Sequence, residues 1–187
     1  MEKKEIGEIC MIRSVNYCFQ NKVLATFYCD NGTVQTLLVG YVEKFNDTEI
    51  LIAHISPHGF YDGFILKHIE DIKRIDYDSD YEKKILRLYK LRGQSHAVIQ
   101  TFDSQDDEII YSLLDFAKQN DYVVSLEFTQ DSISGFVNGY SDDVVYLDTT
   151  NDYGVENGIA IIDINEVLTV AVDTDHEQDL RLLCKTD

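Results

Sequence analysis

The sequence is short of basic residues. Lys and Arg together number 16 against 34 Asp and Glu, which gives a formal net charge of −18 at pH 7. Proteins that bind nucleic acids gain most of their non-specific affinity from Lys and Arg side chains that neutralise phosphates. The charge balance therefore argues against nucleic acid as a partner. An acidic surface favours solubility and the binding of a basic protein.

Long apolar runs and a secretion signal are also missing. No stretch approaches the roughly 18 consecutive apolar residues of a membrane span, and residues 1–5 contain no apolar signal-peptide region. The four cysteines, which show no Cys-x-x-Cys spacing, are Cys10, Cys18, Cys29 and Cys184. We therefore expect a cytoplasmic protein without a membrane partner, whose thiols are reduced and mostly buried, with neither a disulfide framework nor a zinc site.

Catalytic signatures are missing as well. The chain has no Gly-x-Ser-x-Gly motif, no glycine-rich phosphate-binding loop and no cysteine beside a plausible histidine partner. Paired carboxylates are numerous, but 34 acidic residues produce such pairs by chance. We predict that the protein is not an enzyme and that it needs no cofactor.

What the chain does contain is an internal repeat with a constant shift of 95 positions. Gly40-Tyr41-Val42 and Gly135-Phe136-Val137 begin two segments that stay aligned as far as Lys90 and Lys185. Repeats of this length are whole domains, because solenoid units span only about 20–50 residues. We predict a first domain over residues 1–93, a linker over 94–105 and a second domain over 106–187.

Each repeat has the pattern of a helix, five short strands and a second helix. Apolar residues at helical spacing predict the leading helices over Lys3–Gln20 and 106–120, and runs of β-favouring residues between turn residues predict the strands. The last predicted strand covers 166–172. Ser79-x-x-Glu82 and Thr174-x-x-Glu177 are capping boxes that begin the closing helices.

This pattern resembles the Sm-like fold of the Sm, LSm and Hfq proteins. Residues 40–47 and 135–142 are similar to its second strand, in which a glycine precedes an aromatic residue and a carboxylate turn, and residues 63–69 and 158–164 are similar to its fourth strand. The resemblance implies a mainly β fold with flanking helices. The implied fold consists of two tandem five-stranded bent antiparallel barrels, each with an N-terminal helix and a short C-terminal helix. The glycines that define this fold are Gly40, Gly63, Gly135 and Gly158.

The residues that bind RNA in the family are replaced here. RNA-binding members have an Asp directly after the aromatic residue, an Asn four positions later and a basic residue before the strand-four glycine. In the two repeats these positions hold Asn46 and Ser141, Ile50 and Val145, and Asp62 and Asn157. The replacements argue against uridine binding in the family manner. An RNA-binding regulator of the Sm or Hfq type is kept as the alternative function.

Two further sets of residues are candidate sites. His54, His58, Asp62 and His68 lie in one stretch and carry imidazole and carboxylate groups that suit a metal. Because the second repeat lacks them, we interpret them first as polar loop residues, and a metal- or small-ligand-binding protein is the second alternative. Tyr61 and Tyr153 follow the third strand, where the family contacts partners, and tyrosine is enriched at interfaces.

We therefore predict a non-catalytic interaction or scaffold protein of two Sm-like repeats. Bent barrels leave edge strands whose backbone groups can pair with a neighbouring strand. The expected partner is another protein or a second copy of the chain. Three chains would then complete a ring of six units, whereas blocked edges would leave a monomer or dimer.

Overall fold

A computed structural model describes residues 3–32, 35–96, 98–99 and 109–185 of the chain. The fold is mixed α+β. Within these residues the helices are α1 (Lys3–Asn21), α2 (Asp80–Leu91), α3 (Ile109–Gln119) and α4 (Asp175–Cys184). None of the helices in this part of the chain is both long enough and apolar enough to cross a membrane.

Ten strands accompany the helices. They are β1 (Ala25–Asp30), β2 (Gln35–Phe45), β3 (Glu49–Ile55), β4 (Tyr61–His68), β5 (Ile72–Tyr77), β6 (Val123–Glu127), β7 (Ser132–Ser141), β8 (Val144–Thr150), β9 (Glu156–Asp163) and β10 (Thr169–Val172). A 3-10 turn at Ile69–Asp71 precedes β5, and a second 3-10 turn at Ile164–Glu166 precedes β10. The order of elements after α1 is thus the same as the order after α3.

The chain divides into two compact units. The first comprises residues 1–62 and 67–98, and the second comprises residues 63–66 and 99–187. The middle of β4 therefore belongs to the second unit. Residues 97 and 100–108 lie outside the described part of the chain. They include Asp106, Asp107 and Glu108, at the start of the helix predicted over 106–120. The predicted linker over 94–105 and the domain boundaries stay predictions.

In the first unit the strand neighbours run β5-β1-β2-β3-β4. Strand β1 lies between β2 and β5 and is antiparallel to both, with Ala25 opposite Gly40 on one side and Tyr77 on the other. In the turn between β1 and β2, the Asp30 carboxylate accepts a hydrogen bond from the Gly32 amide at 2.8 Å. Among the described residues, strand β5 has a neighbouring strand on one side only.

In the second unit residues 63–66 of β4 come first, followed by β10-β6-β7-β8-β9. Strands β6, β7, β8 and β9 form successive antiparallel pairs, and β10 pairs with β6. Strand β10 begins at Thr169 rather than at the predicted residue 166. The preceding residues form the 3-10 turn, where the Asp163 carboxylate accepts a hydrogen bond from the Asn165 amide at 3.0 Å.

A capping box with a glutamate begins the closing helix of each unit, α2 and α4. Both predicted capping boxes are confirmed. Glu82 is buried and also accepts a hydrogen bond from Thr26 of β1 at 2.5 Å. Glu177 is buried and accepts one from Ser125 of β6 at 2.6 Å. Each glutamate therefore satisfies the start of a helix and ties that helix to the sheet.

Two of the predicted fold-defining glycines allow close approach of neighbouring backbones. A Cβ on Gly40 would lie 2.3 Å from the carbonyl oxygen of Ala53, and a Cβ on Gly135 would lie 2.4 Å from that of Asp148. These contacts differ by the same 95 positions as the sequence repeat. A side chain at either glycine would push β2 from β3, or β7 from β8.

Candidate functional site

The outer side of β9 exposes an unusual amount of apolar surface. Ile159 is 71% exposed and Ile161 is 70% exposed, whereas Ile162 of the same strand is 6% exposed. On its other side β9 pairs with β8, with Ile161 opposite Tyr146 and Ile159 opposite Asp148. Strand β9 is the last strand in its order, so its outer backbone groups have no strand beside them within the described residues. An edge strand with exposed isoleucines is a typical place for another strand to add.

The corresponding stretch of β4 is covered. Phe64 and Leu66, which precede Ile159 and Ile161 by 95 positions, are 0% and 4% exposed. Within the second unit Phe64 packs edge-on against Phe116 of α3, with ring centroids 5.5 Å apart. The same apolar pattern is therefore core in one strand and surface in the other.

A pair of glycines shows the same contrast at backbone level. Gly63 and Gly158 both have a positive φ, of 67° and 87°. A Cβ on Gly63 would fall 2.4 Å from the carbonyl oxygen of Val172 at the end of β10, whereas a Cβ on Gly158 would meet nothing within 4 Å. The space beside Gly158 is the space that β10 fills beside Gly63.

The opposite edge, β5 of the first unit, exposes tyrosines. Tyr77 is 42% exposed, and its ring lies 5.4 Å from the ring of Tyr17 on α1, which is 46% exposed. In the second unit Tyr77 corresponds to Val172 of β10, at the repeat shift of 95. Tyr17 corresponds to Phe116 of α3 when Gln20-Asn21 is aligned with Gln119-Asn120. These counterparts are the elements that cover β4.

The loop before β9 adds Tyr153 to the exposed surface. The Asn151 side-chain oxygen accepts hydrogen bonds from the amides of Tyr153 and Val155 at 3.0 and 3.1 Å, so the loop is held in a closed turn. Tyr153 is then 81% exposed. An open depression of about 470 Å³ lies between this loop, the start of β7 and the start of α4, where His176 borders it. Its lining is mostly neutral and polar.

The metal candidates are brought together only in part. His54 Nδ1 lies 3.0 Å from Asp62 Oδ2, and the two atoms are not aligned as a hydrogen bond. The side chain of His58 is exposed, and its carbonyl accepts a hydrogen bond from Arg92. Among the described residues no group of three or more His, Cys, Asp or Glu side chains could hold a metal ion. His68 lies at the far end of β4.

Asn46, at one of the family's RNA-binding positions, and Asp142, next to Ser141 at another, make contacts within their own units. The Asn46 side-chain oxygen accepts hydrogen bonds from the Thr48 and Glu49 amides at 2.8 and 2.7 Å. Asp142 has a positive φ of 49°, and its carbonyl accepts a hydrogen bond from Tyr111 at 2.5 Å. The RNA-binding alternative stays a prediction.

Sequence reasoning missed a cluster around His96 in the first unit. Tyr61, predicted to face a partner, is half-buried there, with its ring 6.2 Å from the imidazole. Tyr41 stacks on the imidazole at 5.3 Å, and Tyr89 completes a third side at 6.5 Å. The imidazole Nε2 lies 2.9 Å from Glu43 Oε1, and Nδ1 lies 3.1 Å from the Tyr89 hydroxyl.

Two phenols of this cluster, Tyr41 and Tyr89, have raised pKa values. Burial raises the pKa of Tyr41, and burial, followed by the nearby Tyr41 and Glu43, raises the pKa of Tyr89. A neutral Tyr89 hydroxyl can donate to Nδ1 while the Nε2 proton is donated to Glu43. The one signal in the sequence is a mismatch between the repeats: Glu43, Tyr61 and Tyr89 correspond to Asn138, Glu156 and Cys184.

Two of the four cysteines, Cys18 and Cys29, are buried thiols. Burial raises the pKa of Cys18 to about 11, and burial likewise raises the pKa of Cys29 to about 11, where the nearby Asp71 adds to it and Lys67 opposes it. Both thiols therefore stay protonated at neutral pH and are poor nucleophiles. Cys10 is exposed and Cys184 is half-buried.

Comparison with known proteins gives no assignment. A scan against family models, a search of curated proteins and a search of solved structures each found no match.

Proposed function

We propose that this chain is a non-catalytic, cytoplasmic interaction protein of two Sm-like units that binds further copies of itself through its strand edges. The observation that carries the proposal is the exposure of Ile159 and Ile161 at positions where Phe64 and Leu66 are buried. Covering an exposed isoleucine contributes about 1.5–3 kcal/mol. Two of them on an unpaired strand form a strong anchor for an added strand.

The recurrence of strand order supports the tandem Sm-like arrangement. The neighbours β5-β1-β2-β3-β4 of the first half recur as β10-β6-β7-β8-β9 in the second. The pairing register shifts between Val42 and Lys44 in β2 and between Val137 and Gly139 in β7. Such bulges bend a strand and increase its twist, as a small five-stranded barrel requires.

The proposed occupant of the β9 edge is the β5 edge of a second copy. In the second unit β10 lies beside residues 63–66 of β4, and β5 is the element that corresponds to β10. Tyr17 and Tyr77 are exposed beside β5, where they can cover Ile159 and Ile161 of the other copy. The contact would repeat in a second chain the kind of strand pairing seen at β4.

The charges of the two edges are complementary. Strand β5 exposes Lys73 and Arg74, of which Arg74 forms an ion pair with Asp76 of the same strand. Strand β9 exposes Glu156 and Asp163 at its ends. Opposite charges favour association of the two edges and disfavour pairing of β9 with another β9.

A contact between two different edges is directional. Such head-to-tail contacts close into a ring or extend into a filament. Three chains would close as a ring of six units if each contact repeats the geometry at β4. The proposal therefore expects a defined assembly of more than one chain.

Light scattering tests this function. The wild-type chain is expected to scatter as a multiple of its 21.5 kDa mass, and the double variant Ile159→Lys/Ile161→Lys as a single chain. Leu91→Lys is the matched control, because Leu91 is 74% exposed and lies on α2 rather than on β5 or β9. A wild-type mass of one chain at every accessible concentration would refute self-association.

A further inference from the structure

The His96 cluster has the composition of a cation-binding cage. Its three tyrosine rings come from three elements, Tyr41 from β2, Tyr61 from β4 and Tyr89 from α2, so the fold positions them. Tyr89 belongs to the buried core of the first unit, and Tyr41 and Tyr61 pack against that core. The walls of the cage are therefore rigid.

The cage also carries one negative charge. Glu43 lies beside the rings with its side chain 15% exposed, and it reaches the imidazole at 2.9 Å. Aromatic faces attract cations through their quadrupole, and alkylated ammonium groups are the cations that such cages recognise best. The acidic surface of the chain adds a long-range attraction for cations.

We propose that Tyr41, Glu43, Tyr61 and Tyr89 form a binding site for a dimethylammonium group, and that His96 of the same chain occupies this site in the structure. The site lies within the first unit. It is independent of the proposed strand-edge association.

The way in which His96 fits indicates the degree of methylation. With Nε2 protonated, the imidazole gives one N–H to Glu43, and one face of the ring lies against Tyr41. A dimethylammonium group also has one N–H and otherwise only methyl surface. An unmethylated ammonium has three N–H donors, and those not facing Glu43 would be desolvated against the rings. A trimethylammonium group fits the rings but offers Glu43 no proton.

His96 acts in this site as a tethered competitor. It follows α2 closely, and Gln94 fixes the connection by accepting a hydrogen bond from the Tyr61 amide at 3.1 Å and donating its own amide to the Tyr89 carbonyl at 3.1 Å. The imidazole is still 22% exposed, so the site opens at the surface. An external ligand binds only to the fraction of molecules in which His96 has left, which lowers its apparent affinity.

The second unit provides an internal control. The positions corresponding to Tyr41, Glu43, Tyr61 and Tyr89 hold Phe136, Asn138, Glu156 and Cys184. Only one aromatic ring is kept there, and the carboxylate at the Glu43 position is lost. We expect one site per chain.

Calorimetric titration with Nα-acetyl-Nε,Nε-dimethyl-lysine amide tests the site on the full chain. We expect His96→Ala to bind this probe about tenfold more tightly than the wild type does, because the competitor is removed. The matched control is His58→Ala, which removes an exposed imidazole of the same unit and should leave the affinity at the wild-type value. The dimethylated probe should bind more tightly than the trimethylated one, and the unmethylated probe least tightly.

Substitutions of the cage residues provide the second part of the experiment. In the His96→Ala background, Tyr41→Leu should lower the affinity about tenfold, and Glu43→Gln should weaken binding of the dimethylated probe more than that of the trimethylated probe. A peptide that contains one dimethyl-lysine distinguishes the source of the group. Tighter binding of the peptide identifies a protein ligand, and equal binding identifies a small molecule.

Two outcomes would overturn the proposal. One is a folded His96→Ala chain, with wild-type circular dichroism and melting temperature, that shows no saturable binding of the dimethylated probe at millimolar concentrations. The other is equal binding of the unmethylated and dimethylated probes, which would reveal a general attraction of an acidic protein for cations. Neither outcome depends on the oligomeric state, so each can be separated from a failure of self-association.

Discussion

Strands β4 and β9 occupy corresponding places in the two halves of the chain, yet their surroundings differ completely. Residues 63–66 of β4 have β10 beside them, and Phe64 is fully buried. Strand β9 has the same glycine and the same alternation of apolar residues, but Ile159 and Ile161 are exposed. The difference teaches that the same apolar pattern is core where a strand lies beside it and surface where none does among the described residues; the proposed association supplies that strand from another copy.

The largest expected difference between the two strands concerns their apolar side chains. Phe64→Ala should lower the free energy of unfolding by about 4 kcal/mol, because a large buried side chain leaves a cavity. Ile159→Ala should lower it by less than about 0.5 kcal/mol in the separated chain, since the side chain is exposed. Urea unfolding at a protein concentration where the chain is monomeric measures both. Equal losses would contradict the difference in burial.

The paired glycines should differ next. Gly63→Ala combines a positive φ with a clash against Val172 and should cost about 3 kcal/mol. Gly158→Ala carries only the backbone cost of about 1 kcal/mol. In the proposed assembly, however, the added Cβ at Gly158 meets the neighbouring chain, so this variant should also lower the mass seen by light scattering. An unchanged mass would separate Gly158 from the interface.

A third prediction concerns a feature that the halves share. Glu82→Gln and Glu177→Gln should each cost about 2 kcal/mol, because each removes a buried, hydrogen-bonded carboxylate that links a helix start to a strand. Thermal melting of both variants against the wild type measures the two costs. A cost confined to one half would show that the two helix starts are not equivalent.

The pH dependence of Glu82 follows from its hydrogen bonds. Burial alone raises the pKa of Glu82, but hydrogen bonds from Ser79 and Thr26 outweigh it, and the net pKa lies below its usual value of 4.5. The unfolded chain therefore binds this proton more readily than the folded chain does. The stabilisation is fully present above pH 4.5 and is lost as the pH falls through the lower folded-state pKa. Unfolding titrations from pH 6 down to about pH 3 should show a smaller loss for Glu82→Gln.

A small effect on stability is expected at the β5 edge. Tyr77→Ser removes a half-exposed ring that contacts Tyr17 and should cost about 1 kcal/mol. The same substitution should lower the mass of the assembly, because Tyr77 is proposed to cover β9 of another copy. Unfolding and light scattering on one sample separate the two effects. A large loss of stability with no change in mass would make Tyr77 a core residue instead.

Local signals explain which parts of the fold could be predicted. The two capping boxes mark the starts of α2 and α4, because Ser79 and Thr174 each have a glutamate three residues later. Helical spacing placed α1 within one residue of its end at Asn21. The predicted start of β10 at 166 is three residues early, because Glu166 is the last residue of the 3-10 turn and the strand begins at Thr169.

The candidate sites depend on contacts that no local pattern contains. Phe64 and Ile159 have equivalent neighbours in sequence, so their opposite exposure follows only from the strand placed next to each. The His96 cluster joins residues 41–96 at irregular spacing, and neither a helical nor a strand period connects them. A comparison of the two repeats shows that Glu43 and Tyr89 differ from their counterparts. It does not show that both side chains contact His96.

A mixing experiment tests the central claim, that the β9 edge of one chain binds the β5 edge of another. Ile159→Lys/Ile161→Lys blocks one edge, and Tyr77→Lys blocks the other, so each variant alone should have the mass of one chain, 21.5 kDa. An equimolar mixture keeps one intact edge of each kind and should form a complex of two chains, one of each variant. A mixture that keeps the mass of single chains, beside a wild type that assembles, would contradict the account.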